Sequence, residues 1–285
     1  MRAVVLDAAR QPRLARLPRP EGDGALVRIR ACGLCGSDVE KIGVAPPGTV
    51  LGHEVVAELD GGRRVALVHH LPCGECERCR AGHESTCDAF RAATILPGGF
   101  AEFARAKDWV EIPSDVPDAA ATFAEPLACI LRAAEKIPLG RVLVVGAGFV
   151  GNLFAQVLRR RGDEVFGLDP RPERLKAAVL DPPRAPVDAA VLCAPAGAHE
   201  AAEWIGPGGT LIVFAPAGSL DLDAVYRREL HVVGVRSGTP RHLLAAVNLL
   251  PDLDPLPTTV LPLARFAEGL DAYRSGLALK VVFEP

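Results

Sequence analysis

The sequence predicts a two-part α/β chain, in which a β-rich domain with long loops is followed by a shortened, doubly wound parallel sheet. Three observations carry this reading. From Ala3 to about Glu111 the chain runs in short β-like stretches such as ALVRIRA, HEVVAEL and RVALV, each broken by Gly, Pro or Asp. From about Glu125 to Leu250, strand and helix signals alternate as βαβ units require. A G-x-G-x-x-G turn stands where the first of those later strands ends.

The elements follow in order. After the β-rich stretch, apolar Leu127, Ile130, Leu131 and Ala134 share one helical face, and Pro138 and Gly140 then lead into the buried-strand run RVLVVGAG. Strands are expected at Val142–Val145, Glu164–Leu168, Ala189–Leu192, Thr210–Phe214 and His231–Val235, with helical patterns between the first four. The Pro-rich segment PDLDPLPTTVLPL closes that region, and a helix is expected over Leu263–Tyr273. The final segment LALKVVFEP should return to the first domain as a strand. The expected domains are therefore 1–124 with 255–285, and 125–254.

Composition narrows the function. At 285 residues, 49% hydrophobic and 24% charged, the chain can bury two cores. A formal net charge of -3 offers no basic field for nucleic acid, and no apolar run reaches the roughly 20 residues that cross a bilayer. The N-terminus lacks the apolar core and cleavage site of a secretory signal, so a cytoplasmic address and a small-molecule substrate are expected. Five Lys against twenty-seven Arg, two Asn, two Gln and 25 Pro form a bias shared by thermophiles and by genomes of high GC content.

The most specific motif is PCGECERCRAGHESTC, where Cys73, Cys76, Cys79 and Cys87 form C-x2-C-x2-C-x7-C. Four thiolates fill a tetrahedral zinc shell and leave no open position, so this metal would be structural. A ferredoxin-type iron–sulfur run needs its fourth Cys three residues on and followed by Pro, whereas here seven intervene and Asp88 follows. Disulfides are disfavoured in a reducing compartment.

A second constellation is dispersed: Cys35 and Asp38 in ACGLCGSD, His53 and Glu54 in LGHE, and Glu125 in AEPLAC. A thiolate, an imidazole and a carboxylate would meet the need of a catalytic zinc for three ligands and one open position. Asp38 suits the carboxylate that fixes a zinc-bound histidine's tautomer. Read singly, such a Cys or His equally suits a packed core. The third motif is GAGFVG, in which Gly146, Gly148 and Gly151 follow the strand VLVV and open a helix through Phe149 and Val150. With Asp169 eighteen residues past the third Gly, it fits a dinucleotide site whose phosphates sit on the helix N-terminus.

Together these residues resemble the zinc-containing medium-chain dehydrogenase/reductase (alcohol dehydrogenase) family, closest to its sorbitol, threonine and glucose dehydrogenase branches. The resemblance runs in order through GLCGSD, LGHE, the four-Cys lobe, GGFAEF at 98–103, EPLAC at 125–129, the glycine motif and KVV at 280–282. It implies a GroES-like catalytic domain beside a trimmed Rossmann domain, two zinc ions per chain, and NAD. It further implies that Cys35 and His53 bind the catalytic zinc with Glu54, Glu125 or both, and that Ser37 relays the substrate proton. The nicotinamide would lie near the strand ends at Cys193 and Phe214, and the assembly would be a homodimer or homotetramer. Cys32 matches a position that the family does not use as a ligand.

Three departures from the family pattern matter. Glu40 stands where a relay histidine is common, residues are missing around LDGGRR, and more are missing around Ala178–Asp188, leaving only Val179 and Leu180 of a third strand. The expected activity is hydride transfer from an alcohol, polyol or sugar hydroxyl to NAD, with the cofactor performing the redox step. A zinc-stabilised NAD(P)-binding protein with little turnover is the alternative. The zinc-free quinone or enoyl reductases need neither Cys35, His53 nor the four-Cys lobe. Asp169 favours NAD, because a carboxylate repels the 2′-phosphate of NADP, while Arg171 and Arg174 pull the other way.

Overall fold

Buried and exposed side chains alternate along Val27–Arg30, which fixes one face of the nine-residue strand β3 (Ala25–Gly33) on a core. The computed structural model describes residues 1–195, 197–216 and 218–285, and of 91, 176 and 177 the backbone alone. Before β3, β1 (Arg2–Leu6) and β2 (Pro12–Arg16) pair antiparallel. After it come α1 (Gly36–Lys41), β4 (Glu54–Glu58), β5 (Arg64–Leu67), α2 (Glu77–Arg80), β6 (Ile95–Leu96), β7 (Phe103–Ala106), β8 (Trp109–Glu111), α3 (Asp118–Ala121) and α4 (Ala124–Ala134).

The parallel region runs β9 (Arg141–Val145), α5 (Phe149–Arg161), β10 (Glu164–Leu168), α6 (Pro172–Ala177), β11 (Val187–Leu192), α7 (Ala198–Trp204), β12 (Ile205–Val213), α8 (Leu222–Arg228) and β13 (His231–Gly234). The chain closes with α9 (Pro240–Leu249), β14 (Thr258–Pro262), α10 (Phe266–Arg274) and β15 (Lys280–Glu284). Two compact units result, Met1–Ala128 with Gly238–Pro285, and Cys129–Ser237. Helix α9 belongs to the first unit, where Gly238 backs onto Ala128 at a distance that leaves no room for a Cβ.

The first unit is the β-rich one. Its sheet runs β14-β15-β3-β4-β5-β8, with β7 also on β3 and β6 on β7. The last strand does return as expected, pairing β15 antiparallel to β3 through Val282 and Phe283. Phe283 is fully buried and packs with Phe266 at 4.7 Å and Phe100 at 5.7 Å between ring centroids. Phe100 belongs to the GGFAEF segment, and the preceding Gly99 lets Cys32 Sγ and Val55 close in where a Cβ would stand. Cys32 is therefore a packing residue, 1% exposed.

In the second unit all five strands are parallel, in the order β10-β9-β11-β12-β13. The chain order reverses between β9 and β11, which creates the crevice where doubly wound sheets bind ligands. Every expected strand is present, while α8, seven residues long with Leu222 and Tyr226 exposed, gave no amphipathic signal. Beyond β10 the third strand is reduced to one backbone bond, Gly167 N–H to Asp181 O at 3.0 Å. Leu180 is buried there, and Val179 at φ +53° turns outward. Among the described residues no helix is long and apolar enough to cross a membrane.

Candidate metal and cofactor sites

Helix α1 opens at Cys35, whose backbone N–H donates to Asp38 Oδ2 at 3.2 Å and closes the first turn. The other oxygen, Asp38 Oδ1, accepts from Gly52 N–H at 3.1 Å and faces His53 Nδ1 at 3.2 Å. This contact turns His53 Nε2 away from the carboxylate. Burial opposes charge on both partners, yet their attraction outweighs it. Asp38 is held below the usual carboxylate range, and His53, also facing Cys35, well above the usual imidazole range. A metal on Nε2 would take the place of that ring proton.

Cys35 Sγ, a His53 ring nitrogen and a Glu54 carboxylate oxygen lie within 4.8 Å of one another, so the structure brings these three predicted residues together. Their donor chemistry fits an open zinc site. Ser37 Oγ donates to Cys35 Sγ at 3.4 Å. Glu54 sits at the start of β4, 1% exposed, and its Oε2 is held by the ammonium of buried Lys280, which also donates to Leu34 O at 3.2 Å. Glu125 falls outside the group of three. It lies in the first turn of α4 and lines a separate small cavity with His69, His70, Ala128 and Thr239.

The four sulfurs of Cys73, Cys76, Cys79 and Cys87 also lie within 4.8 Å of one another. Cys73 Sγ is 3.9 Å from Cys79 Sγ and 3.5 Å from Cys87 Sγ, against the roughly 3.8 Å edge of a zinc tetrahedron with Zn–S near 2.3 Å. Backbone N–H groups of Cys73 and Cys76 donate to sulfur at 3.5 and 3.4 Å, as suits thiolates. The residues fit a closed zinc site. Phe90 packs against Cys79 and Cys87 as the lobe's own core.

Sequence reading missed what lies between these two sites. His53 stacks on His69 at 4.5 Å, His69 meets His70 at 3.8 Å, and His70 stacks on Phe90 at 4.1 Å. His70 Nδ1 is 3.1 Å from Phe90 O. A continuous row of rings thus joins a metal-site imidazole to the thiolate lobe, and burial keeps His69 in its neutral form. The pair His69–His70, three residues ahead of Cys73, was the one available signal. Lys280 gave none, because its partner is 226 residues away. Tyr273, whose hydroxyl stands against Gly36, is pushed up to about 12 by burial and the nearby Cys35.

In the second unit Gly146 takes φ +96°, a conformation that favours glycine, and Gly151 lets α5 approach Gly146 O where any Cβ would collide. Phe149 and Val150 open α5. Asp169 Oδ2 accepts from Ala147 N–H, inside the turn, and Oδ1 from Arg171 N–H, both at 2.8 Å. Arg174 Nη1 stands 3.9 Å from Asp169 Oδ2 and on the Cβ side of Gly148. Cys193 and Phe214 follow β11 and β12, with Cys193 N–H bonded to Val145 O and the Phe214 ring edge-on to Phe154.

Known proteins share this architecture. Residues 21–116 match the alcohol dehydrogenase GroES-like domain. The chain is 28% identical to an L-threonine 3-dehydrogenase of Sinorhizobium fredii across 95% of its own length and 94% of the relative's. It is 30% identical to the L-galactonate-5-dehydrogenase of Escherichia coli, covering 58% of this chain and 56% of that one. A cobalt- and zinc-bound thermostable alcohol dehydrogenase from Pyrobaculum aerophilum superposes with a TM-score of 0.86 at 25% identity, covering 100% of this chain and 99% of the other.

Proposed function

We propose that the chain is a zinc-containing medium-chain dehydrogenase/reductase, an oxidoreductase acting on hydroxyl groups, and, from that premise, that it oxidises an alcohol, polyol or sugar hydroxyl with NAD. The observation that carries the reading is the convergence of Cys35, His53 and Glu54 within 4.8 Å, beside a serine hydroxyl. The overall change would be loss of the carbinol C–H as hydride and of the O–H as a proton, leaving a carbonyl, with NAD as the hydride acceptor when bound.

When bound at Cys35, His53 and Glu54, zinc supplies the Lewis acidity that makes a hydroxyl acidic near neutral pH. The chain's own residues do the rest. Asp38 fixes the His53 ring, Lys280 holds Glu54, and Ser37 Oγ is the hydroxyl through which the substrate proton leaves. Glu125 is a further carboxylate that can enter this shell. The four-thiolate lobe would hold a second zinc, which would fix its loop. Gly146, Gly148 and Gly151 seat the dinucleotide phosphates, and Asp169 receives the adenosine ribose.

The test is NADH formation on a panel of alcohols, polyols and aldoses, with zinc counted per chain. Two zinc ions and turnover are expected. Cys35→Ser should leave a folded chain with one zinc and kcat/KM lowered at least 100-fold, about 2.7 kcal/mol of transition-state stabilisation. Near-normal turnover in that variant would sink the assignment.

A further inference from the structure

Strand register brings a second imidazole onto the metal-site one. β4 and β5 pair antiparallel, with Glu58 opposite Arg64 and Val56 opposite Ala66. Carried three residues past Val56 and Ala66, the same register sets His53 opposite His69, and directly opposed side chains of an antiparallel pair meet on one face. The two rings stack, with centroids 4.5 Å apart and planes 28° from parallel.

This contact supplies what Asp38 cannot. The carboxylate holds one atom of the His53 ring, Nδ1 at 3.2 Å, and a ring held at one edge atom can still pivot and carry Nε2 through an arc. A flat ring against the face of His53 closes that arc. It uses no in-plane lone pair, so Nε2 stays free to ligate. His69 itself stands outside the group formed by Cys35, His53 and Glu54, as suits a ring that stacks rather than binds metal.

Such a wall works only if it is rigid. The Thr94 hydroxyl donates to both Val68 O and His69 O at 2.7 Å, and Val68 N–H donates to Asp108 O at 3.0 Å. Behind the His69 ring stands His70 at 3.8 Å, and the His70 ring is in turn stacked on Phe90 at 4.1 Å. Phe90 is 2% exposed and packs on Cys79 and Cys87, so the row ends against the thiolate lobe. All of these residues belong to the first unit.

We infer that His69 is a positioning residue for the metal-site imidazole: stacked on His53 and wedged from behind by His70 and Phe90, it holds Nε2 where Cys35 and Glu54 can share an ion with it. The inference rests on the reading of Cys35, His53 and Glu54 as an open metal site, and adds to that site a residue that does not itself ligate. Zinc–nitrogen bonds of about 2.0–2.1 Å leave little slack, and partners that orient a ligand carry roughly 10–100-fold of metal affinity.

The experiment compares the full chain as wild type, as His69→Phe, which keeps a flat ring, and as His69→Leu, which fills the space without one. Each is loaded with cobalt(II), and the absorption bands that Cys35→Ser removes are assigned to the open site. Release of zinc from that site to a colorimetric chelator is timed in parallel. His69→Leu should shift the cobalt bands and speed release about tenfold, while the four-thiolate zinc is retained and circular dichroism is unchanged. His69→Phe should restore the wild-type spectrum and most of the retention. If His69→Leu does not fold, His69→Ala takes its place under the same readings. Unaltered bands and release in the variant without a ring, or a His69→Phe protein no better than that variant, would overturn the inference and leave the metal site standing. A wild type without open-site cobalt bands would overturn both.

Discussion

At Asp169 one side chain does two things. Its oxygens accept from the N–H groups of Ala147 and Arg171, so it braces the glycine turn, and it is also the residue proposed to receive an adenosine ribose. The offset from Gly151 made Asp169 legible in the sequence. The brace was not, since it depends on how the turn folds back on the strand end. Both roles enter the outcome of Asp169→Ser. We expect the NAD/NADP ratio of kcat/KM to fall at least tenfold, because the carboxylate that repels a 2′-phosphate is gone while Arg174 stays 3.9 Å from its position. Stability should drop by about 1–2 kcal/mol, since two backbone donors lose a charged acceptor. A ratio that stays put would reduce Asp169 to a brace. Lys280 marks the opposite limit of legibility. A lysine in an apolar strand is visible, but its pairing with Glu54 is set by β15 folding against β3.

At the scale of elements, the thiolate lobe was the most legible part, because ligand spacing within fifteen residues is itself the geometry. Its connection to the rest was illegible, resting on three ring contacts that no spacing encodes. Cys76→Ser tests both. The lobe has a core of Phe90 and two cysteines and little else, so a metal held by its four thiolates would supply the folding free energy. A loss of about 3 kcal/mol would lower the melting temperature by roughly 10 °C in a chain of this size. Displacement of Phe90 should also reach His53 through His70 and His69, giving a measurable fall in kcat at temperatures where the variant is still folded. Unchanged melting with full zinc content would show that Cys76 is not a ligand. The short helix α1 was legible only as a motif; its first turn is closed by Asp38, a residue also engaged by His53.

On the whole molecule, the alternation of βαβ signals made the parallel strands of the second unit legible but not their order, and the returning C-terminal strand of the first was legible from the apolar KVVF run. The loose ends were the segments where the chain is short. Both units should register their ligands thermally. NAD at a hundred times its Kd should raise apparent stability by about 2.7 kcal/mol, and a strong zinc chelator should lower it; differential scanning fluorimetry reads both shifts. No response to either would leave the chain without its two expected ligands. The abbreviated third strand has a further consequence. A parallel sheet that stops at its second strand exposes a row of backbone donors and acceptors, the template on which neighbouring chains polymerise. Here Leu180 and Asp181 cover that row at Gly167, and Arg159 grips the carbonyls of Ala178 and Val179 to keep the cover in place. The stub thus blunts that open edge at Gly167, held by one arginine far from any chemistry.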